Sequence, residues 1–211
     1  MKEYPLYGIS SLTGILAAVL NTLLILVLDF TVPNYDFVTQ YVSEFGVIPG
    51  NTSTIVSIWW VLHGLILIVF SIGLNNSIVK AGCFSILGPL FICFYGLFDS
   101  IGSVIFPMLE GTFSGVMHNL VSFIGITAII FSPIALVYRL KKDPSWARLI
   151  RFTWVTQVFF WIIYAICLLA FMEIYFTGIV GILQRVFIFA ADAWIIVLGY
   201  RAFMVTLKRR T

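Results

Sequence analysis

The chain has 211 residues, of which 61% are hydrophobic and 10% charged, and its mean hydropathy is +1.08; soluble domains run at roughly 45–50% and about 25%. This composition excludes a soluble enzyme, a nucleic-acid-binding domain and a disordered chain, because lipid is the solvent that accommodates so much apolar surface. The net charge of +3 reads as a topology signal rather than as the mark of an acidic partner.

Six stretches approach the ~20 apolar residues that a bilayer crossing requires: 8–28, 54–74, 83–106, 115–138, 152–172 and 178–200. The expected fold class is all-α: a polytopic bundle of six transmembrane helices forming a single domain, 1–211. Lys2 precedes the first run and no small-residue cleavage site follows it, so that run is expected to remain as a helix. Gly14 with Ala18, and Ser122 with Gly125, are spaced so that helix backbones approach closely in lipid. Pro89 and Pro133 are expected to kink spans three and four. Cys83, Cys93 and Cys167 lie within apolar runs without metal-ligand spacing and read as small buried hydrophobes.

Between spans one and two, residues 36–45 place Phe37, Val38, Tyr41, Val42 and Phe45 on one helical face and Asp36, Thr39, Gln40, Ser43 and Glu44 on the other. The pattern predicts an amphipathic interfacial helix, with Pro33 and Asn34 as start signals. Such a helix could also act as a lid that lowers Ser43 and Glu44 into the bundle.

Basic residues set the expected orientation. Lys2, Lys80, Arg139, Lys141, Lys142 and Arg148 fall on one side, with Arg151, Arg201, Lys208, Arg209 and Arg210. The opposite loops hold none and carry Asp29, Asp36, Glu44, Glu110 and Glu173 instead. By the positive-inside rule both termini are cytoplasmic and the chain is a multi-pass protein of the cell membrane. Trp59 and Trp60 fall near one interface and Trp146 near the other.

Ionisable side chains within spans are costly and are functional candidates by default. Here they are His63, Asp99, His118, Arg185 and Asp192. Asp99 and Arg185 each lie about four residues, or ~6 Å, outward from mid-span, and are expected to pair. His63 and Asp192 lie near the midplane and are expected to form a second intramembrane polar pair. Three polar stripes converge on one external-side pocket: Gly96, Asp99 and Ser103; Ser114, His118 and Ser122; Gly181, Arg185 and Asp192. Two carboxylates against one guanidinium leave one negative charge for a protonated histidine, a neutral Asp or a bound cation.

The run Tyr41-Val42-Ser43-Glu44-Phe45-Gly46, Asp99 followed by Phe106-Pro107, and Gly111 and Gly115 leading to His118 resemble the membrane family catalogued as domain of unknown function nine-nine-eight. The resemblance covers nearly the whole chain. It implies a six-helix prokaryotic-type membrane protein and no particular activity. It also implies that Ser43, Glu44, Asp99 and His118 belong to one external-side site. A second, partial resemblance is to the alkaline-ceramidase-like membrane hydrolases, with Ser43 or Ser103, Asp99 and His118 as counterparts. Those hydrolases hold zinc with three histidines and this chain has two in total, so no such metal site is expected. A mixed set of Glu44, Asp99, His118 and water is the remaining zinc option.

Three functions compete. The first is a polar pocket that binds or moves a lipid headgroup or small ion, lined by Ser43, Glu44, Asp99, Ser103, His118 and Arg185. The second is a metal-assisted intramembrane lipid hydrolase with His118, Asp99 or Glu44 as catalytic groups. The third is a structural membrane module. No phosphate loop, nucleophile elbow or HExxH motif favours an enzyme. Membrane lipids are the expected partners, with no nucleic acid. The sequence specifies no cofactor and no oligomeric state.

Overall fold

The computed structural model describes residues 4–79, 86–141 and 143–208. Lys2, Lys80, Cys83, Lys142, Arg209 and Arg210 lie outside them. Among the described residues there is no strand. Helix α1 covers Tyr4–Thr31, α2 Asn51–Val79, α3 Leu87–Phe94, α4 Gly102–Ile105, α5 Phe113–Leu140, α6 Ala147–Phe171 and α7 Val180–Lys208. A π turn, Tyr95–Ile101, joins α3 to α4, so Leu87–Ile105 forms one apolar rod. With that rod counted once, six elements are long and apolar enough to cross a bilayer. The protein is a multi-pass membrane protein, and side chains such as Leu16, Val155 and Ile162 are exposed where only lipid would tolerate them.

Each spanning element packs against its sequence neighbours, and α7 closes back onto α1. The result is a ring in the order α1, α2, the α3–α4 rod, α5, α6, α7. This order decides which polar groups can meet. Asp99 on the rod faces α2 and α5, whereas Arg185 on α7 faces α1. Backbone approach fixes the first of these contacts. A side chain on Gly96 would lie 2.8 Å from the carbonyl oxygen of Gly64, so α2 and the π turn touch backbone to backbone.

The two prolines have different consequences. Pro89 stands in the first turn of α3, where a missing N–H would be unpaired in any case. Pro133 lies inside α5, and Gln157 of α6 repairs the break. Its side-chain oxygen accepts from Ile134 N at 2.9 Å and its amide donates to Ile130 O at 2.9 Å. Backbone freed by proline is thus satisfied by a neighbouring helix, as a lipid environment demands.

The first long loop differs from the expected amphipathic helix over 36–45. Residues 37–39 form a turn, held by the Asp36 carboxylate accepting from Val38 N and Thr39 Oγ1. Those bonds hold the Asp36 carboxyl below its usual range. Regular helix is confined to a 3-10 turn, Val42–Val47. Its apolar side does not lie on a membrane surface. Val42 and Phe45 are buried against Ile25, Leu28 and Val56 between α1 and α2.

Candidate functional site

At the end of the bundle that carries this loop, Arg185 is clamped. Its guanidinium donates to Asp29 through Nε, at 2.9 and 3.1 Å, and through the NH2 group at 2.6 Å. It also donates to Tyr35 Oη at 2.6 Å, Gln40 O at 3.1 Å and Gly181 O at 2.9 Å. All five guanidinium hydrogens therefore have acceptors. Tyr35 Oη in turn donates to Tyr41 O at 2.8 Å. Burial pushes the Tyr35 phenol up to about 12. The loop is tied to α7 twice more, where Val38 O accepts from Gly181 N and Val42 N donates to Gln184 Oε1. The arrangement fixes a loop, and it leaves Arg185 no free donor for a ligand.

The expected pair of Asp99 and Arg185 is therefore corrected: the partner of Arg185 is Asp29. Helix α1 continues to Thr31, three residues past the expected span, and carries Asp29 into the bundle beside α7. Asp99 stands on the α3–α4 rod, which packs against α2 and α5. Its carboxylate meets the Ser122 hydroxyl, and α5 reaches it because Gly125 has no side chain; a Cβ there would stand 2.6 Å from that of Asp99. The expected pair of His63 and Asp192 is corrected for the same reason. His63 Nδ1 lies 3.0 Å from Ser100 Oγ on the rod. Asp192 faces α1, where its Oδ2 accepts from Asn21 Nδ2 at 3.1 Å and Thr22 Oγ1 at 2.9 Å.

Below the clamp the ring encloses a polar cavity of about 40 Å³, room for a few waters or one small ion. The rod contributes Tyr95, Asp99, Ser100 and Ser103; α2 contributes Trp60 and His63. Asn21 and Ile25 of α1, Ser122 of α5, Gln184 and Ile188 of α7, and Val42 and Ser43 of the loop complete it. Two buried polar atoms near it have no hydrogen-bond partner, His63 Nε2 and Asp192 Oδ1. The His63 and Tyr95 rings meet edge to face at 6.5 Å.

Of the six residues expected to line a pocket, Ser43, Asp99 and Ser103 stand on this cavity. Arg185, Glu44 and His118 do not. The Glu44 carboxylate accepts from Tyr41 N at 2.8 Å and Gln40 Nε2 at 2.9 Å, capping the 3-10 turn. His118 Nδ1 is 2.9 Å from Phe106 O, tying α5 to the end of the rod. The mixed zinc set of Glu44, Asp99 and His118 thus does not converge, and among the described residues no three His, Cys, Asp or Glu gather to hold a metal. Asn21, Tyr95, Ser100 and Gln184 are additions. Asn21 and Gln184 carry the same signal as the ionisable candidates, a polar group inside an apolar span. Tyr95 and Ser100 reach the cavity because a π turn rotates the face that an α-helix would present, and Gly96 turns instead to Gly64.

No curated protein and no solved structure matches the chain. A family model described as "Protein of unknown function (DUF998)" matches residues 15–201, and the chain belongs to that family.

Proposed function

We propose that this protein binds a small monovalent cation, a proton or Na⁺, in the cavity at the centre of the ring, with Asp99 as its principal ligand. The observation that carries the reading is the commitment of Arg185 to Asp29. It leaves Asp99 and Asp192 inside the bundle with neutral hydrogen-bond donors and, among the described residues, no basic partner. A carboxylate so placed is neutralised by a proton or by a cation. Hydroxyls of Ser100, Ser103 and Ser122 and the imidazole of His63 supply further neutral oxygen and nitrogen ligands. The cavity, about 40 Å³, is too small for a phospholipid headgroup. The reading includes one domain over 1–211, both termini in the cytoplasm of a cell membrane, and the cavity in the outer half. Supporting this orientation, Arg139, Lys141, Arg148 and Arg201 collect at the end opposite the long loop.

The test is thermal unfolding of the purified protein in Na⁺ against N-methylglucamine at constant ionic strength, at pH 6 and pH 8. Occupation stabilises by about 2.7 kcal/mol at a hundredfold excess over Kd. A Na⁺ site gives stabilisation by Na⁺ at pH 8; a proton site gives stabilisation on acidification without Na⁺ dependence. Either response should shrink in Asp99→Asn and disappear in Asp99→Asn/Asp192→Asn. A wild type indifferent to both, or a response undiminished in Asp99→Asn, contradicts the reading.

A further inference from the structure

We infer that the bound cation also crosses the bundle, between α1, α2 and α7, with the Phe70 ring as the gate on its route. The inference rests on the cation reading for the identity of the ion, a proton or Na⁺, and adds passage down its electrochemical gradient.

Three helices carry the same layering. On α2, His63, Phe70 and Ser77 follow at intervals of seven; on α7, Asp192, Gly199 and Thr206 do; on α1, Asn21 and Gly14 do. Seven residues are close to two turns, so each set shares one face and the layers lie ~10 Å apart. The first layer is polar. Asn21 donates to Asp192 Oδ2 at 3.1 Å, and His63 lines the cavity with Asn21. The middle layer is one aromatic ring between two glycines. A side chain on Gly14 would lie 2.7 Å from the Phe70 ring and one on Gly199 3.5 Å from it; Phe70 itself is fully buried. The last layer is polar again. Ser77 Oγ and Thr206 Oγ1 are 3.3 Å apart, and a side chain on Gly73 would meet Cβ of Ser10 on α1 at 2.7 Å, so all three helices meet here too.

Close packing in lipid accounts for the glycines but not for the polar groups above and below them. His63 Nε2 and Asp192 Oδ1 are buried and have no hydrogen-bond partner among the described residues; both side chains are nine-tenths or more buried. Such atoms call for a water or an ion. They belong to the layer on the cavity side of Phe70. The hydroxyls of Ser77 and Thr206 form the layer on its other side, toward the end of the bundle that carries Arg201. An apolar ring between two polar layers is a hydrophobic constriction, which passes an ion once it is displaced and wetted. Glycine on α1 and on α7 leaves the ring no Cβ to clear when it turns. With the ring in place the route is shut.

The test is flux into proteoliposomes under an inside-negative potential set by valinomycin and K⁺. Uptake of radioactive Na⁺ reads one ion; an internal pH dye, with N-methylglucamine outside, reads the other. In the wild type one of the two should exceed protein-free liposomes severalfold. That flux should rise severalfold in Phe70→Ala and rise less in Phe70→Leu, whose smaller loss of volume is less liable to unfold the bundle. It should fall severalfold in Thr206→Val, a change of similar shape that removes one hydroxyl, while the cation-dependent thermal stabilisation stays at its wild-type value. A hydroxyl serving only to pack helices would not separate flux from binding in this way. Flux at the protein-free level in a wild type that still responds to the cation would overturn the inference and leave the binding reading standing. Flux indifferent to Phe70→Ala, Phe70→Leu and Thr206→Val would put the route elsewhere and overturn it as well. A wild type with neither stabilisation nor flux would remove both.

Discussion

Arg185 and Asp29 are both nine-tenths or more buried, and the net worth of such a pair over apolar residues is small. Removing one partner is a different matter, because it strands the other charge. Arg185→Gln and Asp29→Asn should each cost about 3–5 kcal/mol, read by denaturant unfolding in mixed micelles. The double variant should be milder than the sum of the two. Asp99→Asn combined with Arg185→Gln should instead be additive to within about 0.5 kcal/mol, as for residues that share no partner. Strong coupling between Asp99 and Arg185 would contradict the ring order. Tyr35 adds a pH signature. An unfolded phenol ionises near ~10, whereas the docked one is pushed up to about 12. Loop docking is therefore at full strength below pH ~10 and weakens as pH climbs toward about 12. Tyrosinate absorbance should show a late-titrating phenol in the wild type that is missing from Tyr35→Phe.

Among the elements, α5 depends on a side chain from its neighbour. Gln157→Leu leaves Ile134 N–H and Ile130 O unpaired in an apolar setting, each worth about 1–3 kcal/mol. Amide exchange at Ile134 should accelerate, and Gln157→Glu should restore acceptance from Ile134 N but not donation to Ile130 O. Unchanged exchange in Gln157→Leu would mean that the kink is satisfied otherwise. The spans themselves are legible in the sequence, because twenty apolar residues in a row have few other uses. Their ends are less so: Asp29 reads as a loop residue, yet one more helical turn makes it the partner of Arg185. Helical periodicity gives only part of the third span's polar face. It groups Gly96 with Asp99 and Ser103, which do stand on the cavity, whereas the π turn adds Tyr95 and Ser100 there and directs Gly96 to α2. Depth estimates carry no information on azimuth, and the pairing of α7 with α1 decided who met whom.

For the whole molecule, the ring has one end rich in Lys and Arg and one end closed by the loop. A reporter inserted near Gly50 should give external signal and one fused after Thr211 cytoplasmic signal; the reverse pattern would invert the proposed orientation. The central claim is that Asp99 and Asp192, which have no basic partner among the described residues, are neutralised by a proton or a cation. Infrared difference spectroscopy of the carboxyl stretch tests it most directly. Adding Na⁺, or raising pH without Na⁺, should convert a protonated-carboxyl band to carboxylate in the wild type. That conversion should shrink in Asp99→Asn and again in Asp99→Asn/Asp192→Asn, and persist in Asp29→Asn/Arg185→Gln. A conversion that survives loss of both Asp99 and Asp192, or a wild type with no conversion at all, would contradict the account.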